Sequence, residues 1–180
     1  WILRIISTEF SDIKIIESNY SMDDRGSFTK MFNESEFRSM GLQTEYKETY
    51  YSKSKRDVIR GMHFQVPPYD HEKLVHVIEG SIVDVVVDLR KDSPNYKKYV
   101  AIPLLAERHQ SIYIPRGFAN GFRALEDNTV MLYHVASGYH PDSDRGIAYD
   151  SIGYDWGTEM PVLSKRDLGF MVLGDFVSPF

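Results

Sequence analysis

The sequence predicts an all-β fold, an antiparallel sandwich or barrel for which a jelly roll is the natural candidate. Two observations support this prediction. Short runs of β-branched and aromatic residues recur between turn residues, and several of them alternate polar with apolar side chains. Segments with helical features are few and short. Many short strands with little helix are typical of sandwiches and barrels, and a barrel has a mouth in which a ligand can bind.

Nine strands follow from these runs. They are predicted, in chain order, at residues 12–17, 27–32, 44–52, 58–64, 73–79, 81–89, 97–104, 110–114 and 128–136. Turn-forming residues separate several of them, at Glu79-Gly80, Ser93-Pro94-Asn95, Pro115-Arg116-Gly117 and Glu126-Asp127-Asn128. Neither a repeat nor a Pro/Ser-rich linker interrupts the pattern, so we expect a single domain over residues 1–180.

Two short helices are expected between or after the strands. Asn33 is suited to cap a helix over residues 33–40, since Glu36 follows three residues later and Gly41 lies near the end. Ser164 is suited to begin a second helix.

The composition excludes several classes of function. The 180 residues have a net charge of −5, which argues against nucleic acid as the main partner because phosphate binding depends on clustered Lys and Arg. The chain has no cysteine, so disulfides and thiol catalysis are excluded. No apolar run approaches the roughly 20 residues that span a bilayer, and residues 1–10 lack the apolar core of a secretory signal. We therefore expect a cytoplasmic protein without a membrane partner.

His63 is a candidate general base because an unperturbed histidine titrates near neutral pH, at about 6.5. It lies in a predicted strand in which regular alternation places it and Arg60 on opposite faces. A bulge at Gly61 would bring the two side chains together. The alternative is a hydrogen-bonded core histidine, and spacing alone favours that alternative.

Four other residues have both a structural and a chemical interpretation. Asp167 either completes a capping box at the start of the second helix or orients a histidine. Tyr133 and Tyr139 either pack in the core or donate a proton in the barrel mouth. Lys73 is either a solvated strand end or an inward cation that stabilises an enolate oxygen. The basic segment 53–60 fits a diphosphate and a solvated edge strand equally well.

A metal site has little support from the sequence. Barrel metal sites need two or three histidines and a carboxylate in close array. The candidates are His63, His71, Glu72 and His76, but His71 and His76 are five residues apart and fall on opposite faces of a regular strand. We expect no metal.

Longer motifs make the pattern specific. They are DDRGSF (23–28), RGMHFQ (60–65), EKLVHVIEGSIVDVVVDLRKDSPNY (72–96), SIYIPRGFANGF (111–122), LYHVASGYHP (132–141), DRGIAYD (144–150) and LSKRD (163–167). In this order, and over nearly the whole chain, the sequence resembles the dTDP-4-dehydrorhamnose 3,5-epimerase family. The resemblance implies a cupin jelly-roll barrel with a few short helices, a homodimer, a nucleotide-diphosphate sugar as substrate, and neither metal nor cofactor.

The resemblance also implies residue roles. By motif position, His63 matches the family's base, Asp167 the acid that supports it, Tyr133 the proton donor and Lys73 the lysine near the keto oxygen. The substrate-binding positions that it implies are Arg25, Phe28, Glu48, Tyr50, Arg60, Asn120 and Tyr139.

Several positions depart from the family pattern. Asn120 replaces a histidine, Lys30 a glutamate, Glu48 a glutamine and Tyr50 an asparagine. An asparagine forms hydrogen bonds but does not transfer a proton at neutral pH. Because these positions lie near the nucleotide or the sugar in the family, we hypothesise a different nucleotide sugar as substrate, such as a GDP-linked 4-keto-heptose.

The predicted function is a nucleotide-linked 4-keto-6-deoxy sugar epimerase that acts at C3 and C5, or at C3 alone, in surface polysaccharide sugar biosynthesis. One alternative is a nucleotide-sugar ketoisomerase, which moves the carbonyl instead of inverting a carbon. The other is a non-catalytic cupin that binds a sugar nucleotide, an alternative that Asn120 keeps open.

Overall fold

A computed structural model describes residues 3–180, which form mostly antiparallel strands. The strands are β1 (Arg4–Ser7), β2 (Lys14–Glu17), β3 (Asn19–Asp23), β4 (Gly26–Lys30), β5 (Glu48–Ser54), β6 (Ile59–Gln65), β7 (Lys73–Glu79), β8 (Ser81–Asp88), β9 (Tyr99–Leu105), β10 (Gln110–Ile114), β11 (Phe118–Ala124), β12 (Thr129–Val135) and β13 (Asp144–Gly146). The helices are α1 (Glu34–Ser39) and α2 (Lys165–Leu168), with single 3₁₀ turns at Ala106–Arg108, Tyr149–Ser151 and Leu173–Asp175.

Two sheets form the barrel. Six strands pair in the order β1-β2-β10-β7-β12-β5, and five pair in the order β13-β6-β11-β8-β9. Strands β3 and β4 form a separate hairpin. An apolar cluster joins the two sheets, since it contains Val75 and Met131 of the first and Ile82, Val86 and Phe122 of the second. The predicted all-β jelly-roll class is therefore confirmed.

Alternation along the central strands decides which side chains line the barrel. In β7, Val75 and Val77 point into the cluster between the sheets, whereas Leu74 packs on the outer face against Phe37 of α1. By the same alternation, Lys73 at the start of β7 points inward. One end of the barrel interior is thus apolar, and polar inward residues gather at the other end.

The segment after β13 covers the outer face of the five-stranded sheet. Val85 and Val87 of β8 pack there against Trp156, Leu173 and Phe176. Burial on both faces explains why the β8 sequence is an almost continuous apolar run. The covering segment also brings α2 alongside β6, which is how residues distant in sequence meet at the site described below.

Each of the nine predicted strands overlaps an observed strand, but the match is incomplete. Residues 44–47 were predicted as strand and lie outside β5, which begins at Glu48. Strands β1, β3, β11 and β13 were not predicted, and β11 was missed because the Gly and Asn of its FANGF segment suggest a loop. Both predicted helix starts are confirmed, as Asn33 and Ser164 accept hydrogen bonds from the backbone N–H of Glu36 and Asp167.

No helix among residues 3–180 is both long enough and apolar enough to cross a bilayer.

Candidate active site

A cavity of about 300 Å³ opens at the polar end of the barrel. Its lining residues are Glu48, Tyr50, His63, Phe64, Gln65, His71, Lys73, Val135, Tyr139, Asp144 and Arg166. Five of the predicted catalytic and substrate-binding residues lie in this lining: Glu48, Tyr50, His63, Lys73 and Tyr139.

His63 and Asp167 form a hydrogen-bonded pair at the cavity wall. The Nε2 atom of His63 lies 2.8 Å from Oδ1 of Asp167, and the backbone N–H of Gly61 donates to Oδ2 at 3.0 Å. Burial favours the neutral acid, but the hydrogen bonds from His63 and Gly61 outweigh it and lower the pKa of Asp167. An ionised Asp167 requires the proton on Nε2, so Nδ1 of His63 is the basic atom.

Asp167 takes part in the cap of α2 through its backbone, but its side chain does not complete the predicted capping box. Its backbone N–H donates to Oγ of Ser164 at 3.1 Å, which caps the start of α2. Its side chain, only 6% exposed, points to His63 instead of closing the capping box. The cap therefore fixes the backbone from which the carboxylate reaches the histidine, and Phe170 packs edge-on against the His63 ring.

A bulge in β6 sets the direction of the His63 side chain. Asn120 of β11 pairs with His63 and Phe122 pairs with Arg60, so β6 contains one residue more than its partner. Gly61 lies in this extra step with φ of 141°, and a Cβ there would lie 2.5 Å from the Cα of Gly121. The predicted bulge at Gly61 is present, and Arg60 and His63 line one groove beside α2.

Lys73 and Asn120 form the floor of the site. The Nζ atom of Lys73 donates to Oδ1 of Asn120 at 2.8 Å and to the carbonyl oxygen of His63 at 3.2 Å. Lys73 is 8% exposed, and burial lowers its pKa to about 8, while Asp84 and Asp144 oppose that shift. Lys73 is thus turned inward and is not a solvated strand end.

Asp84 lies inside the barrel near this lysine. It is fully buried, and neither carboxylate oxygen has a hydrogen-bond partner among residues 3–180. Burial raises its pKa, and the positive charge of Lys73 opposes the rise. Sequence reasoning missed this residue, although an acid inside the apolar run SIVDVVVD was a signal that could have identified it.

Tyr133 points into the barrel from the sheet that faces His63. It lies on β12 of the six-stranded sheet, whereas His63 lies on β6 of the five-stranded sheet. Its ring stacks on Tyr50 with centroids 5.0 Å apart. Burial raises the pKa of Tyr133 far above its ordinary value, and the nearby Asp84 adds to the rise. The phenol is therefore protonated at neutral pH.

The cavity mouth contains acidic, basic and aromatic groups. Glu48 Oε1 accepts the backbone N–H of Tyr139 at 2.9 Å, and the Tyr139 side chain is exposed. Asp144 pairs with Arg166 on the same rim. Sequence reasoning missed these last two residues and Gln65, and it considered His71, which also lines the cavity, only as a metal ligand.

Arg25 and Phe28 lie elsewhere in the chain's own structure. Both belong to the β3–β4 hairpin, where Arg25 pairs with Asp23 and Phe28 is 62% exposed. They line a surface pocket on the hairpin and not the His63 cavity. In this single chain, Arg25 and Phe28 therefore lie apart from the other predicted site residues.

No group of three or more histidine, aspartate or glutamate side chains in the described part of the chain is arranged to hold a metal ion. His71 and His76 serve different contacts: His71 Nδ1 lies 2.8 Å from Oγ of Ser137, whereas His76 contacts Ser111 on the outer face of the sheet.

Comparison with known proteins identifies the family of the chain. The family model of dTDP-4-dehydrorhamnose 3,5-epimerase matches residues 7–175. The enzyme of that name from Methanothermobacter thermautotrophicus is 41% identical over 169 residues, which are 91% of each chain. The one from Escherichia coli is 36% identical over 179 residues, 97% of each chain. A Legionella pneumophila epimerase crystallised with dTDP-4-keto-L-rhamnose superposes with a TM-score of 0.92 at 32% identity, covering 97% of this chain and 95% of that one. The chain belongs to the dTDP-4-dehydrorhamnose 3,5-epimerase family.

Proposed function

We propose that the protein epimerises a nucleotide-linked 4-keto-6-deoxy sugar at the carbons next to its ketone, through an enolate. The observation that supports this most is the placement of an Asp167-supported His63 and a protonated Tyr133 on facing sheets of one barrel, with the Lys73 ammonium group bonded to the backbone carbonyl of His63. The names of the relatives support the same reaction class.

The first step is proton removal. A ketone at C4 makes the hydrogens on C3 and C5 weakly acidic, and Nδ1 of His63 accepts one of them. The imidazolium that forms is stabilised by the Asp167 carboxylate on Nε2, 2.8 Å away.

The enolate oxygen then needs a positive environment. Lys73 provides a buried cation whose charge acts more strongly than it would in water. Asn120 accepts a hydrogen bond from Lys73 through Oδ1, and its side chain also opposes the rise in the pKa of Asp84. At the position where the resemblance implies a histidine, Asn120 thus holds Lys73 through its amide oxygen and does not exchange protons.

Tyr133 completes the inversion. A base on one face of the sugar ring and an acid on the other deliver the proton to the opposite side of the carbon. The raised pKa of Tyr133 keeps the phenolic proton available at neutral pH. We propose that both C3 and C5 are inverted in this way.

The identity of the nucleotide is a separate question. The relatives favour dTDP, whereas Glu48 favours GDP. The Legionella relative binds a dTDP sugar, which favours dTDP here. Glu48 lies at the cavity mouth next to the exposed Tyr139, and a carboxylate accepts two hydrogen bonds from the N1–H and 2-amino group of guanine. Thymine offers one donor. A GDP-linked sugar, including a 4-keto-heptose, is therefore the second candidate substrate.

A homodimer would give Arg25 and Phe28 their implied roles. The β3–β4 hairpin exposes Met22 (72%) and Phe28 (62%), and contacts the barrel through the stacking of Tyr20 on His109. We propose that the hairpin packs against a second copy and supplies Arg25 and Phe28 to that copy's cavity. The surface polysaccharide setting, the single-domain organisation and the cytoplasmic location stay predictions.

Incubation in heavy water tests the function. 4-Keto-6-deoxyglucose linked to dTDP or to GDP is followed by mass spectrometry and NMR. Deuterium at C3 and C5 is the expected result, and the faster substrate identifies the nucleotide. Deuterium at C3 alone would indicate a single-site epimerase. A shifted keto carbon would favour the ketoisomerase, and nucleotide binding without exchange of either sugar would contradict the catalytic proposal and favour a binding protein.

A further inference from the structure

His71 is a cavity-lining histidine that the proposed mechanism does not use. It lies in the segment between β6 and β7, two residues before Lys73, and lines the same cavity as His63 and Lys73. Its Nδ1 atom lies 2.8 Å from Oγ of Ser137. Which of these two atoms donates the shared proton decides what the other ring nitrogen, Nε2, offers to a ligand.

The hydroxyl group of Ser137 has its one proton committed to a carbonyl. Its Oγ atom lies 2.7 Å from the backbone oxygen of Tyr69. Because a carbonyl oxygen only accepts, the hydroxyl is the donor in that bond. The same hydroxyl therefore accepts from His71, which places the proton of the neutral ring on Nδ1 and leaves Nε2 unprotonated.

Gln65 holds this arrangement in place. The backbone N–H of His140 donates to Oε1 of Gln65 at 2.8 Å, which fixes the orientation of the amide. The amide nitrogen donates to the backbone oxygens of Tyr69 at 2.7 Å and Gly138 at 3.2 Å. Nδ1 of His71 is farther from that nitrogen, at 3.4 Å, so the amide protons are engaged elsewhere and do not require Nδ1 to accept.

The surroundings of His71 keep its ring neutral. Burial and the charge of Lys73 outweigh a hydrogen bond with the Ser137 backbone and lower the pKa of His71 to about 3. Its Nε2 atom forms no hydrogen bond within residues 3–180 and, unlike Nε2 of His76, is not enclosed. His71 thus presents a lone pair and no proton to the cavity.

We propose that His71 is a specificity-determining residue, whose unprotonated Nε2 accepts a hydrogen bond from a ring hydroxyl of the sugar. The diphosphate and the ketone are acceptors, so neither suits this nitrogen, whereas the ketone suits the Lys73 ammonium group. A 4-keto-6-deoxy sugar has donors close to its ketone, the C2 and C3 hydroxyls. The identity of the ligand rests on the proposed function, but the protonation of the ring is testable without substrate.

The direct test is NMR of the protein labelled with ¹⁵N-histidine, in the absence of substrate. The resonances of His71 are assigned by their loss in His71→Gln. We expect a proton on Nδ1 and none on Nε2 throughout pH 6 to 8. Ser137→Ala, which removes the acceptor of that proton, should increase the fraction of rings protonated on Nε2. A wild-type ring that is protonated on Nε2 or charged in this range would overturn the proposal.

The specificity test uses 2-deoxy and 3-deoxy analogues of the sugar, with deuterium uptake at C5 as the readout. In the wild type, we expect kcat/KM to fall about tenfold for the analogue that lacks the bound hydroxyl. In His71→Asn, whose amide still reaches Ser137 but has no acceptor at the Nε2 position, the fall should be less than about threefold. His71→Gln, whose amide oxygen reaches that position, should restore part of the discrimination. Equal discrimination by the wild type and His71→Asn against both analogues would overturn the proposal.

His134→Asn is the matched control. Nδ1 of His134 lies 2.9 Å from Oγ1 of Thr49, a similar pair that does not line the cavity. This variant should discriminate as the wild type does. The ratio of wild-type to His71→Asn activity should be the same at pH 6 and pH 8, because His71 does not titrate in that range. A ratio that changes with pH would indicate proton transfer by His71 and contradict the proposed role.

The outcomes separate the two proposals. If the wild type exchanges neither sugar, the proposed function fails, and calorimetry then compares binding of the sugar nucleotide, its deoxy analogues and the nucleotide alone. Weaker binding of one deoxy analogue by the wild type, but not by His71→Asn, would still support the contact with the sugar. Weaker binding of the nucleotide alone by His71→Asn would assign the contact to the nucleotide and overturn the proposal.

Discussion

At the scale of single residues, the site depends on pairs that are distant in sequence. His63 and Asp167 are separated by 104 positions, and their contact exists because α2 packs beside β6. Spacing alone gave no link between them and favoured a core role for His63. The motif order of the family resemblance, and not local pattern, identified these residues as partners.

Replacement of His63 by alanine tests the base. We expect His63→Ala to lower deuterium incorporation by about 10²–10⁴-fold, the usual contribution of a positioned general base. Nucleotide affinity, measured by calorimetry with dTDP and GDP, should change little because, in the proposed mechanism, the ring acts on the reacting carbons and not on the diphosphate. Turnover at the wild-type rate would remove His63 from this role.

Replacement of Tyr133 by phenylalanine tests the acid. The phenol is the proposed proton source and lies on the sheet opposite His63, so Tyr133→Phe should slow formation of the inverted product by at least about tenfold. Exchange of the substrate's own hydrogens should persist, because proton removal does not need the phenol. We expect a rise in the ratio of deuterium-exchanged but uninverted sugar to inverted sugar, measured by NMR. A constant ratio would assign the acid role to another group.

At the scale of secondary structure, the β6 bulge and the N-terminus of α2 act as one unit. The bulge at Gly61 directs His63 towards α2, and the Gly61 N–H donates to the same carboxylate that holds His63. A change in the backbone of β6 therefore affects both the stability of the barrel and the geometry of the pair.

Gly61→Ala is expected to lower the free energy of unfolding by more than about 2 kcal/mol. The added Cβ would lie 2.5 Å from the Cα of Gly121, a backbone atom that cannot move aside easily, and φ at Gly61 is 141°. Gly174→Ala is the control, since no atom lies within 4 Å of its Cβ position. Denaturant unfolding should show a change below about 0.5 kcal/mol for the control. Equal stability of both variants would contradict the importance of the bulge.

The same elements show how far sequence reasoning reaches. Strands such as β7 and β8 have residues that alternate or remain apolar throughout, and they were predicted within one residue at each end. Strand β11 was missed because the close approach of Gly61 and Gly121 requires glycine there, which locally resembles a turn. Strand β13 has only three residues and forms by pairing with β6, so no local signal marks it. Asp84 and Asp144 enter the site through tertiary packing, which spacing does not encode.

At the scale of the whole molecule, the outer face of the six-stranded sheet contains a buried histidine. His76 Nδ1 forms a hydrogen bond with Ser111, and its Nε2 has no partner within residues 3–180. Burial, with the neighbouring His134, lowers the pKa of His76 to about 3. In the unfolded chain its pKa is about 6.5, so the unfolded state binds the proton first as the pH falls. Above pH 6.5 the buried, neutral His76 therefore does not reduce the free energy of unfolding. As the pH falls from 6.5 to about 3, the free energy of unfolding decreases.

His76→Gln is therefore expected to flatten the pH dependence of stability. The slope of unfolding free energy between pH 6.5 and 4 should fall by up to about 1.4 kcal/mol per pH unit, the value for one proton. Denaturant unfolding at pH 7.5, 6, 5 and 4 measures it. Ser111→Ala, which removes the hydrogen bond but no titrating group, should lower stability similarly at every pH. Parallel curves for the wild type and His76→Gln would contradict the assignment.

The segment that covers β8 lies at the end of the chain, so it is the last part of the barrel to be synthesised. A ribosome synthesises the chain from the N-terminus, so the barrel strands with His63 emerge long before Asp167 and the residues that cover β8. Until that last segment docks, His63 lacks the carboxylate that holds its proton on Nε2, and Val85 and Val87 of β8 remain open to water. Nascent or C-terminally shortened chains should thus be inactive and prone to aggregate, because the docking step that completes the base is also the step that shields the sheet.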